Sequence, residues 1–342
     1  MSRLEPDRGS IGYTTTMDSP EPTFKPAWWL PGPHLQTLGA RMLRPRRGVA
    51  FRRERWTTPD GDFLDLDFAA GEDLRDDVLV LLLHGLEGSA HSGYSYQILR
   101  RLLDHGIAGV GLNFRSCSGE LNRGRRLYHS GETSDLAWVV DRLREENPGR
   151  RLAVVGVSLG GNVLLKHLGE RGSSAELAAA AAWSVPFDLA AGARFMERGF
   201  ARQYVGRLLR SLKSKVRTRA GEIGQHIDLE RSLRARTFWE FDDAATAPLH
   251  GFDGADDYYR QSSSAAFIST ITVPTLVIHS RDDPFLPAHA IPEKAMRSNP
   301  AVTPVIPDHG GHVGFVSGGV PFLPHFWAED LIARWLVDGF SS

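Results

Sequence analysis

Apolar and polar positions follow two alternating periods along this chain, and the alternation predicts most of the elements. Val78 to Leu83 (VLVLLL) is an unbroken apolar run, the mark of a central strand covered on both faces. Similar short runs lie at Ile107–Phe114, Leu152–Val157, Thr275–Ser280 and Val302–Pro307. Helix-like stretches separate them. Tyr96–His105 is closed by Gly106 as a C-cap, and Ser134–Glu146 is stopped by Asn147-Pro148-Gly149. Asn162–Leu168, Ala288–Ser298 and Leu323–Val337 read as further helices. Upstream, Arg55–Thr58, the turn Pro59-Asp60-Gly61 and the alternating Phe63–Ala69 read as a hairpin. Leu177–Val185 is ambiguous: its alanines favour helix, while its place in the alternation favours a strand, which is the reading adopted. The expected fold is α/β, a mostly parallel sheet of about eight strands wrapped by helices.

The alternation fails in one long segment. No clear strand–helix pair occurs between about residues 187 and 265, so this stretch reads as a helical cap inserted into the sheet domain, here taken as residues 51–342. Its basic portion, Arg194–Arg219, reads as a solvated helix face. Phe195, Phe200, Tyr204, Phe238, Trp239, Phe241 and Phe252 either line an apolar pocket or form the cap's own core, the second being the simpler reading for most. Residues 1–50 read as an N-terminal arm packed on the core, beginning with a polar, flexible lead-in over residues 1–25. In that arm Pro26–Thr37, with Trp28-Trp29 among three prolines, reads as a rigid surface-packed stretch rather than a cleft wall. The basic run from Arg41 to Arg55 reads as a solvated linker leading into an edge strand.

Length and charge narrow the class. At 342 residues the chain can bury a self-sufficient core. With 40 Lys+Arg against 41 Asp+Glu the net charge is −1, which argues against nucleic acid as the main partner. A single cysteine, Cys117, excludes an intrachain disulfide framework. The first 25 residues lack the apolar core of a signal peptide. No apolar run approaches the roughly 18 residues of a membrane span. The expectation is a cytoplasmic protein without a membrane span; oligomeric state is not readable.

The chemistry centres on Gly156-Val157-Ser158-Leu159-Gly160, a G-x-S-x-G between an apolar strand and a helix. That context is a nucleophile elbow, with Ser158 at the tip of the sheet and at a helix N-terminus. Serine needs a base to take its proton, and the base needs an acid to orient it. Both follow later strands in the chain order Ser, Asp, His. Asp283 is preferred as the acid, three residues after Ser280 and just before Pro284. Asp282 then becomes a turn residue holding the loop, and Asp308 lies too near the histidine. His312 is preferred as base over His309, because Gly310-Gly311 permits the turn that aims it at the elbow. His279, within a strand, and His84, in a loop, read as structural. The backbone N–H groups of Leu86 and Leu159 are assigned to the oxyanion hole. Cys117 lacks an elbow and reads as a small buried cysteine. No cofactor and no metal are expected: His309 and His312 have i, i+3 spacing, but no HExxH or paired-Cys pattern accompanies them.

These motifs, together with the Trp28–Thr37 stretch, HGLEGS at 84–89, NFRSCSGE at 113–120, YHSGET at 128–133, Ser184–Asp188, Asp256–Tyr259 and GGHVGF at 310–315, resemble the YheT-like branch of the α/β-hydrolases. That branch is related to the eukaryotic ABHD-type lipid hydrolases, and the likeness spans about residues 26–338. Ser116 stands where Gly is more usual. The resemblance implies a serine hydrolase of carboxylic esters, on short-chain acyl or lipid-like substrates, and implies Ser158, Asp283 and His312 as its triad. Acyl transfer or thioester cleavage by the same nucleophile is the first rival. The second is a catalytically silent hydrolase fold that binds a partner or a membrane surface through basic stretches 41–55 and 194–219.

Overall fold

The computed structural model describes residues 23–341, so most of the polar lead-in lies outside the described residues. The described chain opens with helix α1 (Gly32–Leu43), then the hairpin β1 (Ala50–Thr57) and β2 (Phe63–Ala70). Regular alternation follows: β3 (Val78–Leu83), α2 (Gly93–Asp104), β4 (Ala108–Asn113), α3 (Ser134–Glu146), β5 (Arg151–Val157), α4 (Leu159–Arg171), β6 (Ala179–Trp183). Helices alone come next: α5 (Leu189–Met196), α6 (Ala201–Thr218), α7 (Ala220–Ile223), α8 (Leu229–Arg234), α9 (Phe238–Phe241), α10 (Ala247–His250), α11 (Ala255–Ser262). The alternation then resumes with β7 (Thr275–Ile278), α12 (Glu293–Ser298) and β8 (Val302–Val305). A short hairpin, β9 (Val316–Ser317) and β10 (His325–Phe326), leads into α13 (Trp327–Ser341).

The eight strands order as β1-β2-β4-β3-β5-β6-β7-β8, with only β1·β2 and β2·β4 antiparallel. The apolar runs are explained by period-two alternation across a doubly covered sheet. In β3, Leu79, Leu81 and Leu83 enter the core shared with α3 and α4. Val78, Val80 and Leu82 enter the core shared with α2 and α13. β5 and β6 divide in the same way, Ala180 and Ala182 facing one core, Ala179, Ala181 and Trp183 the other. Tertiary pairing thus overrides the helix preference of the alanines. The Gly106 prediction is met by a left-handed turn at φ +68°, with Ile107 N–H donating to Leu102 O.

Several expectations need correction. The rigid arm carries a helix that was not expected: Pro33 sits in the first turn of α1, where its missing N–H costs nothing, and the helix runs on through Arg41. The basic run leads into the edge strand β1 and most of its arginines are exposed, but it is more than a solvated linker. Arg44 is buried, and Arg53 and Arg55 pair across the hairpin with Asp67 and Asp65 at 2.8 and 2.7 Å. The helix expected over 288–298 begins only at Glu293, because Pro292 cannot continue a helix from its predecessor. The last helix starts at Trp327 rather than Leu323, since Pro324 precedes a short strand.

Candidate active site

The elbow is fixed by close backbone approach. A Cβ at Gly156 would meet Gly160 O at 2.4 Å, and one at Gly160 would meet Leu83 O at 2.6 Å. No side chain fits at either position, which is the physical content of the motif. Ser158 itself stands at φ 53° and ψ −118° as the N-cap of α4. Such a conformation stores about 1–3 kcal/mol, held here by Ser158 N–H donating to Trp183 O at 2.8 Å.

The three predicted side chains meet across the sheet edge. Ser158 Oγ lies 2.9 Å from His312 Nε2. His312 Nδ1 lies 2.8 and 3.1 Å from the two oxygens of Asp283. Asp283 is buried; burial pushes its carboxyl up, but the charge and hydrogen bond of His312 and the Phe285 N–H outweigh this and hold it below its usual value. An ionised carboxylate can only accept, so Nδ1 carries the proton and Nε2 is left to accept from the serine hydroxyl. Phe285 stacks flat on the imidazole, centroids 3.9 Å apart. Asp282 braces the turn beneath, accepting from Gly311 N–H at 2.9 Å, while His309 is solvent-exposed and 3.3 Å from Asp282. His279 is buried against Phe187, its ring nitrogens without a hydrogen-bond partner among the described residues, and burial lowers its pKa to about 4.

The two predicted donors also line the cleft. Leu159 is the first residue of α4, so its N–H has no intrahelical partner. At Leu86 the neighbours decide the matter. Gly85 N–H donates to Tyr94 Oη at 2.8 Å, and Glu87 N–H to Tyr128 Oη at 2.8 Å. These clamps satisfy the amides on both sides of Leu86; its own N–H has no partner among the described residues. Sequence reasoning missed both tyrosines, because each acts from a distant element. His84 is structural: it accepts from Phe114 N–H at 3.1 Å and donates from Nδ1 to Gly85 O at 2.7 Å. Burial lowers its pKa to about 4, so it stays neutral.

The cleft-wall role that the sequence reading set second for this stretch falls to α1, and its grip on the histidine loop was not foreseen. Thr37 Oγ1 accepts from His312 N–H at 2.9 Å, and Gln36 Oε1 from Val316 N–H at 2.8 Å. Arg44 pairs with buried Glu329 at 2.5 Å and donates to Val313 O and Gly314 O. The N-terminal arm thus clamps the histidine loop, and Thr37, Leu38 and Arg41 form a wall of the cleft. The tandem tryptophans and Gln36-Thr37 were the available signal.

The cleft encloses about 580 Å³. Of the aromatics weighed from the sequence, Tyr204, Phe238 and Phe241 line it, Trp239 and Phe252 pack in a satellite core, and Phe195 and Phe200 are exposed. Cys117 is half-buried beside Lys215 at 3.3 Å, and burial raises its thiol to about 11, too high for a nucleophile at neutral pH. Apart from these, His129, Glu132 and His250 bring ligand-type atoms within 4.8 Å of one another. Arg126 already occupies Glu132 at 2.9 Å, which supplies the positive charge a cation would bring.

A serine elbow at the carboxyl end of a parallel sheet, with an acid and a histidine on later loops, defines the architecture of an α/β-hydrolase. The family described as the alpha/beta hydrolase fold matches residues 78–319. YheT of Escherichia coli is 40% identical over 307 residues, 89% of this chain and 90% of its own. The mouse phospholipase ABHD3 is 32% identical over 303 residues, 86% of this chain and 74% of its own. A solved esterase of Pyrococcus furiosus shares the fold at TM-score 0.56 and 19% identity, over 85% of this chain and 93% of that one. This chain belongs to the YheT-like branch of the α/β-hydrolase family, related to the ABHD proteins.

Proposed function

We propose that this protein hydrolyses carboxylic esters through Ser158, His312 and Asp283. The observation that carries the reading is the continuous hydrogen-bond chain from Ser158 Oγ to His312 Nε2 at 2.9 Å and from His312 Nδ1 to Asp283 at 2.8 Å. Ser158 attacks the ester carbonyl while His312 takes its proton, and the imidazolium is stabilised by Asp283. The open N–H groups of Leu86 and Leu159 receive the negative charge that develops on the carbonyl oxygen. His312 then protonates the leaving alcohol, and water releases the acid in a second passage through the same groups. The helices α5 to α11 act as a cap over the acyl side. The names of the relatives agree with ester chemistry: YheT is provisionally named an esterase, ABHD3 a phospholipase.

Ser158→Ala is expected to lower p-nitrophenyl ester turnover by roughly 10⁵-fold or more while far-UV dichroism stays unchanged. Unaltered turnover sinks the mechanism. Failure of a fluorophosphonate probe to label wild-type Ser158 favours the silent-fold reading instead. Acyl transfer has one specific observation in its favour. A yeast relative, 32% identical over 292 residues, is named a medium-chain fatty acid ethyl ester synthase/esterase. With ethanol as acceptor, ethyl ester outrunning free acid identifies a transferase.

A further inference from the structure

The large apolar side chains exposed among the described residues fall on only three segments. They are the arm with α1 (Trp28, Leu35, Met42), the loop over residues 318–324 (Phe322 and Leu323 foremost) and the last turn of α5 with the turn that follows it (Phe195, Phe200). Met42 is 82% exposed, Phe322 78%, and Trp28 and Leu323 each 69%. Contacts join the segments into one surface. Trp28 Nε1 donates to Gly319 O at 2.9 Å, Trp29 stacks toward Phe322 at 5.9 Å, and His34 packs on Phe200 at 4.8 Å. Helix α1 carries part of this surface and, through Thr37, Leu38 and Arg41, a wall of the cleft, so the surface adjoins the candidate active site. Scattered exposed apolar residues need no explanation, but a joined group of them beside a cleft does. Phe322 adds a second sign: it stands outward at φ +62°, a conformation bulky residues rarely adopt.

The mouth of the cleft is cationic. Arg41, Arg46 and Arg207 all line it and are exposed. Arg41 is held below its usual pKa by partial burial and then by the charges of Arg207 and Arg46, and none of the three forms an ion pair among the described residues. Aromatic and aliphatic groups beside unpaired guanidinium groups match an anionic lipid interface, where the first enter the acyl boundary and the second meet phosphates. A twofold contact with a second copy would gather both cationic mouths into one interface.

We propose that this patch docks the cleft onto an anionic phospholipid surface, from which the ester substrate enters. Delivery of substrate rests on the ester-hydrolase reading; docking itself does not. The test is flotation of the full chain carrying Ser158→Ala with phosphatidylcholine vesicles, with and without phosphatidylglycerol. The protein is expected to float with the anionic vesicles, less with the neutral ones, and less in high salt. Arg46→Glu is expected to weaken anionic binding at least fivefold, from about a fivefold effect per charge. The double variant Phe322→Ser/Leu323→Ser, outside the cleft, is expected to weaken binding to both vesicle types by about tenfold. In the otherwise wild-type chain that double variant should turn over a soluble p-nitrophenyl ester at an unchanged rate. Absence of flotation, or equal flotation of the double variant, overturns the proposal. So does a concentration-dependent dimer that the double variant abolishes, which would assign the surface to a second copy. Flotation without any ester turnover in the wild type would leave docking intact and overturn the hydrolase reading alone.

Discussion

Asp283 shows how much one side chain decides at this site. It fixes the tautomer of His312, since an ionised carboxylate requires Nδ1 to be the donor. An amide there can donate to Nδ1, which would turn the protonated nitrogen toward Ser158. Asp283→Asn is therefore expected to lower kcat by about 10⁴-fold with little change in KM, read from steady-state kinetics at neutral pH. A loss confined to KM would remove Asp283 from this role. Turn spacing and Pro284 singled out Asp283 over Asp282 in the sequence, and Asp283 is the acid that lies 2.8 Å from His312 Nδ1. The tyrosine clamps at Leu86 were not legible. Tyr94 and Tyr128 lie 8 and 42 positions from Leu86 in the sequence, and nothing local marks a phenol as the partner of a loop amide.

At the scale of elements, α1 is the surprise. In the sequence Pro31-Gly32-Pro33 reads as part of a rigid arm, and only the structure places Pro33 in the first turn of a helix. What holds it is tertiary: Arg44 forms a buried ion pair with Glu329 on α13 and reaches two carbonyls of the histidine loop. Removing one member of a buried pair strands the other charge. Arg44→Leu is expected to destabilise the fold by roughly 3–5 kcal/mol in urea titrations, and Arg44→Leu/Glu329→Leu to recover much of that loss. A double variant as unstable as the single would show that the carbonyl contacts, not the stranded carboxylate, dominate. The sheet strands were legible because burial on both faces writes an unbroken apolar run. The helices of 187–265 were legible only as a failure of that pattern. Several are a single turn long, and their faces are shared between two small cores and the cleft.

At the scale of the molecule, the cleft is assembled from parts far apart in the chain: α1, the elbow, the cap helices and the loops after β7 and β8. Its volume of about 580 Å³ lies well within the range of roughly 300–1,000 Å³ that holds a sizeable ligand. An acetyl group would leave most of it unfilled. In a series of p-nitrophenyl esters, kcat/KM is expected to rise from acetate to octanoate, by up to about fourfold per buried methylene. A flat or falling series would place the acyl group outside this cleft.

By itself the sequence determined the strand runs, the elbow and the order of its partners. Each is written locally, in period-two burial, in glycines that backbone approach requires, and in turn residues at fixed offsets. Tertiary structure alone decided that an N-terminal helix clamps the histidine loop, that two phenols leave Leu86 N–H open, and that exposed aromatics and unpaired arginines share one patch. Those depend on which distant surfaces meet, and single-residue patterns carry no record of distance in space.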